Sequence, residues 1–210
     1  MTHTLHRVGS EESLAKDYVF LIMPSTGINV EGSGPKMQRF LEKALQLGAI
    51  KVGDGKGGNH YLQGISVEEM IARVQDHAVC HVVFYDRAKA VAMMQWLREA
   101  DLGLSVVCSG LLDEVHSCCR EAGIERHTVE HSLGRWGRTD LLPEGGVLEL
   151  NTMCGHGMVT VGLIEKMVDE VRKGRLTATE AAEKLFVPCV CGVFNTARAA
   201  EILTDLADRS

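Results

Sequence analysis

The segment Asn151-Thr152-Met153-Cys154-Gly155-His156-Gly157 places a thiol and an imidazole two positions apart, between glycines. A second cluster, Pro188-Cys189-Val190-Cys191-Gly192, follows further along the chain. A thiol becomes a nucleophile or a base once it is ionised, and a nearby imidazolium or a helix N-terminus favours the thiolate. The pattern makes Cys154 the candidate reactive thiolate, with His156 to poise it, and Gly155 and Gly157 leave room for a ligand against the backbone. Thiolate and imidazole are also metal ligands. An alternative expectation is a zinc or iron–sulfur centre held by Cys154, His156, Cys189 and Cys191, although C-x-C and C-x-H are not the C-x2-C of a zinc knuckle. In a third reading every cysteine is structural, and the protein is a non-catalytic small-ligand binding or regulatory module.

The elements that must position these groups follow from the apolar pattern. Tyr18–Met23, Ala78–Tyr85 and Leu104–Cys108 are continuous apolar runs, the pattern of strands buried on both faces. Residues 49–52, 127–133 and 147–150 read as shorter strands. Between them, apolar residues recur at helical spacing, as in Met37, Phe40, Leu41, Ala44 and Leu45, and Ser66 with Glu69 forms a capping box. Such alternation predicts one α/β domain over residues 17–210. It would be Rossmann-like, with a mostly parallel sheet of about five strands flanked by helices. Residues 1–16 read as a flexible arm, and residues 155–210 as a helical segment packing over the crevice at the strand ends.

In an open parallel sheet, ligands bind beyond the carboxyl ends of the strands, and a helix starting there favours an anion. That rule brings forward Ser25, Thr26, Asp86, Ser109 and Asn151 as ligand-binding candidates, together with Gly155 and Gly157. Arg135, beside Trp136 in a glycine-containing stretch, is a candidate anion clamp. The expected partner is a small anionic molecule. Cys80, Cys118 and Cys119 fall on buried faces of their elements and are assigned to the core.

Met153-Cys154-Gly155-His156-Gly157 resembles the cysteine motif of the proline racemase and hydroxyproline epimerase family. The resemblance implies a helix-capped thiolate that moves a proton next to a carboxylate. It covers about five residues, and that family's second cysteine motif has no counterpart at Cys189 or Cys191. Only the local physics is taken from it.

Composition bounds the rest. The 210 residues are 45% hydrophobic and 24% charged, enough for one ordinary folded domain. A net charge of −6 argues against nucleic acid as a partner, which requires a basic face. No apolar run is long enough to cross a membrane, and the first 16 residues lack the apolar stretch of a secretory signal. A cytoplasmic protein with free thiols is expected, and a homo-oligomer is open.

Overall fold

Four strands form the centre of the computed structural model, which describes residues 4–209: β1 (Tyr18–Met23), β2 (Lys51–Asp54), β3 (Cys80–Phe84) and β4 (Ser105–Ser109). They lie in the order β2-β3-β1-β4, and every neighbouring pair is antiparallel. Ten helices accompany them among the described residues. They are α1 (Glu11–Leu14), α2 (Ser33–Gln46), α3 (His60–Gln63), α4 (Val67–Ala72), α5 (Arg87–Ala100), α6 (Leu112–Glu121), α7 (Gly145–Cys154), α8 (Val161–Arg172), α9 (Ala178–Phe186) and α10 (Thr196–Asp208). The units β1-α2-β2 and β3-α5-β4 interleave, each placing a strand between the two strands of the other. This is the split βαβ arrangement of a ferredoxin-like sheet.

The sheet is thus four-stranded and antiparallel, not the mostly parallel, Rossmann-like sheet of about five strands that the apolar runs suggest. The physical reason is that a continuous apolar strand reports burial on both faces, and strand direction does not enter. Here both faces are covered. Tyr18, Phe20, Ile22, Val82 and Phe84 pack with Met37, Phe40, Leu41, Met93 and Met94 of α2 and α5. From the opposite face, Val19 and Val83 pack with Met153, Ile164, Leu185, Phe186, Ala199 and Leu203 of α7–α10. At roughly 1.5–3 kcal/mol for each large apolar side chain buried, the two cores together supply the main favourable term of folding.

Two local expectations also change. Residues 147–150 belong to α7, not to a strand, because a four-residue apolar run has no period long enough to tell the two apart. Residues 127–133 form no regular element. The capping box of Ser66 with Glu69 opens α4 as read, and Thr177 with Glu180 forms another at the start of α9. No helix among the described residues is long and apolar enough to cross a membrane.

Residues 4–17 are tied to the second core by buried charge. The Arg198 side chain of α10 is fully buried, with Nη1 3.0 Å from Asp17 and Nη2 3.0 Å from Glu149 of α7. It also donates to the Val8 carbonyl and to the Ser13 hydroxyl. Arg7 pairs with the other Asp17 oxygen, and Asn195 donates to the same oxygen. Removing one partner of such a group strands the others without water. Arg198→Ala should therefore cost on the order of 3–5 kcal/mol in a chemical denaturation experiment, far more than an exposed arginine. A loss near zero would show that the cluster does not hold the arm.

Candidate functional site

Cys154, Cys189 and Cys191 meet. Cys154 ends α7 and lies under the second sheet face with no solvent exposure. Cys189 and Cys191 lie in the segment joining α9 to α10 and are also buried. The Cys154 and Cys189 thiols are hydrogen-bonded, and so are those of Cys189 and Cys191. The Cys191 sulfur stands 3.6 Å from Nδ1 of His156. The two sequence clusters form a single hydrogen-bonded series, Cys154 to Cys189 to Cys191, with an exposed imidazole at its end.

Local backbone explains why the series forms. Gly155 and Gly157 both adopt left-handed conformations, at φ of 72° and 70°, which turn the chain sharply after α7. Asn151 fastens that turn by donating to the Val159 carbonyl at 2.8 Å. On the other side, Asn59 is fully buried and donates to the carbonyls of Val187 and Cys189 at 3.0 and 2.9 Å. The Cys191–Gly192 backbone lies directly on β2, where a Cβ at Gly53 would come within 2.4 Å of the Cys191 carbonyl oxygen. Arg7 joins both halves, its guanidinium donating to the carbonyl of Met153 at 2.9 Å and to that of Val193.

The electrostatics move the thiolate. Cys154 stands at the carboxyl end of α7, the negative end of the helix dipole, so helix capping does not activate it. Its pKa is raised, first by its hydrogen bond to Cys189 and then by burial, against the backbone N–H groups of His156 and Met158. Cys189 receives the bond from Cys154, which lowers its pKa. Donation to Cys191 and burial outweigh this and push it up to about 12. Cys191 goes the other way. The hydrogen bond it accepts from Cys189 lowers its pKa, helped by the Val193 N–H and opposed by burial. Of the three thiols, Cys191 is therefore the one that ionises most readily. The cause is the hydrogen bond from Cys189, which favours the charged form of Cys191.

The other candidates are dispersed. Antiparallel pairing sends strand ends to opposite edges, so no shared carboxyl-end crevice gathers them. Ser25 and Thr26 follow β1 at one edge, where the Ser25 N–H is held by Asn29. Asp86 caps α5 by accepting from the Lys89 N–H. Ser109 ends β4 at the edge away from Ser25 and is bonded to the Thr4 hydroxyl at 2.8 Å. Arg135 lies in an exposed loop beside Trp136. Cys80, Cys118 and Cys119 are buried in the first core. Among the described residues, no group of three or more His, Cys, Asp and Glu side chains is arranged to hold a metal ion.

Arg7 and Arg198 support the site and were not singled out by spacing. Arg198 had a legible signal, since it lies four positions before Ile202 on the apolar stripe of α10. An arginine on that stripe demands buried partners. Arg7, in a polar arm, had none. Comparison with known proteins found no match among family models, curated proteins or solved structures.

The thiol shifts have a consequence for pH. Cys154, Cys189, Cys80 and Cys108 all have raised pKa values, so their stability contribution is complete below the ordinary thiol range and is lost as pH rises. Cys191, lowered, contributes in the opposite sense and is outnumbered. Folding stability should therefore fall from about pH 8.5 upward, and the fall should shrink when Cys154 and Cys189 are replaced together by serine. Denaturation midpoints across that range, with and without the double replacement, measure it.

Proposed function

We propose that the protein is a thiol-dependent redox protein in which Cys191 is the nucleophile and Cys189 and Cys154 are resolving thiols. The observation that carries this reading is the meeting of three buried thiols, with the Cys191 sulfur 3.6 Å from Nδ1 of the exposed His156, and the lowered pKa of Cys191 agrees with it. A lowered thiol with neighbours in bonding contact is the arrangement that thiol–disulfide exchange uses. The reactive centre foreseen at Cys154 and His156 is kept in place, with the nucleophile moved to Cys191. Of the three sulfur-bearing residues, Cys191 alone has measurable exposure, at 3%, and His156 is the exposed group beside it. A Nδ1–H tautomer of His156 donates to the sulfur.

The exchange balances with a low-molecular-weight disulfide, RSSR, as oxidant. The Cys191 thiolate attacks one sulfur, the S–S bond breaks and RS⁻ leaves. Cys189 gives up its proton and attacks the Cys191 sulfur, releasing the second RS⁻. Cys154, losing its proton in turn, attacks Cys189, and Cys191 departs as thiolate again. The two protons go to the two leaving thiolates. The sum oxidises Cys154 and Cys189 to a disulfide and reduces RSSR to two thiols.

A second reading rests on donor type. Three thiols and an imidazole are what zinc or an iron–sulfur cluster binds. Against it stands the arrangement, in which sulfur follows sulfur along hydrogen bonds. Treating anaerobically purified protein with oxidised glutathione separates the two. The redox reading expects a Cys154–Cys189 crosslink by peptide mass mapping, and Cys191→Ser abolishes its rapid formation. Stoichiometric zinc or iron, with these thiols resistant to oxidation until the metal is chelated, would establish the metal reading instead.

A further inference from the structure

The loop between α6 and α7 carries apolar side chains that the fold leaves in water. Residues 124–138 form no regular element. A loop of more than about 12 residues without an element of its own usually serves a function. Trp136 is 84% exposed and Leu133 79%. The Trp136 Nε1–H donates to the Leu133 carbonyl at 3.1 Å, so one tight turn presents both side chains. Apolar surface of this size favours a partner over water, and tryptophan is among the side chains that most often anchor an interface.

The same chain holds a cavity of matching size. It measures about 360 Å³ and opens beside β4, an edge strand of the sheet. Phe20, Met94, Leu97, Val106, Val115 and Ile124 give it apolar walls, and the exposed Val107 flanks them. A cavity of roughly 150 Å³ with such a lining takes a benzene ring, so this one has room for an indole. Trp136 of the same copy stands outside it.

Charge and area favour a second copy as the occupant. Glu125, Arg126 and Glu130 line the cavity, two carboxylates against one guanidinium, which leaves it a net charge of −1 with histidine neutral. In the loop, Arg138 is held by Asp140 at 2.6 Å, so Arg135 gives the turn a net charge of +1. The two signs are opposite. Trp136 buries on the order of 200 Å²; with Leu133, and counting two turns and two cavities, the total reaches on the order of 1,200 Å², the lower end of stable interfaces. Reciprocal insertion is a closed two-fold arrangement, in which each copy supplies one turn and one cavity. We propose that the protein forms a two-fold dimer in which Trp136 of each copy fills the cavity beside β4 of the other, with Arg135 facing Glu125 and Glu130. The proposal is independent of the thiol chemistry at Cys191.

Analytical ultracentrifugation of the reduced full chain across a concentration series tests it. A monomer–dimer equilibrium with a micromolar Kd is expected. Trp136→Ala should weaken dimerisation by about tenfold or more. Because Trp136 is exposed, the circular dichroism spectrum of that variant should be unchanged. Arg135→Glu should also weaken the dimer, and adding Glu130→Arg in the same chain should recover much of the loss. Trp96→Phe leaves Trp136 as the only tryptophan, and its emission should shift to the blue as the dimer forms. A chain that stays monomeric up to its solubility limit, or a dimer unchanged by Trp136→Ala, would overturn the proposal. So would no recovery in the charge-reversed pair, or a blue-shifted Trp136 emission that does not depend on concentration.

Discussion

The second half of the molecule depends on one carboxylate. Asp17 has almost no exposure and sits between two guanidinium groups, Arg7 from the arm and Arg198 from α10. A buried carboxylate is costly unless its lone pairs are taken, and here Arg7, Arg198 and Asn195 take them. The arrangement fixes more than a local contact. Arg198 carries the tie to Glu149 on α7, and Arg7 carries it to the carbonyls that flank Cys154 and Cys191. The distance between the two cysteine segments is thus set by a charge cluster, and their sulfurs come into hydrogen-bond contact as a consequence.

From that contact follows the asymmetry of the thiols. Three chemically identical groups in similar burial separate because hydrogen bonds run in one direction along them. The glycine turn after α7 and the Asn59 clamp on the C-x-C segment supply the geometry. Close backbone contact at Gly53 and Gly192 seats the C-x-C segment directly against β2.

Much of this was legible in the sequence, and the failures have a common cause. The two cysteine clusters, the helices after Met158, the capping boxes and the buried character of Tyr18–Met23 all follow from spacing and composition. Strand direction does not, because α7–α10 cover the second sheet face and make antiparallel strands apolar on both sides. The error at Val147–Leu150 had a sharper effect. Reading that run as a strand put Cys154 at a positive helix start, whereas it stands at a negative helix end. The same residue types then point to a different nucleophile. Spacing also could not reveal the role of Arg7, whose carbonyl partners at Met153 and Val193 lie more than a hundred residues away in the chain.

The central claim is that Cys191 is the thiol of the series that ionises most readily. Site-resolved alkylation rates, measured by mass spectrometry across pH on the reduced protein, test it directly. The account predicts that Cys191 reacts before Cys154 and Cys189, with a rate inflection below the ordinary thiol range near pH 8.5. Faster reaction at Cys154, or a Cys191 inflection at or above that range, would contradict it.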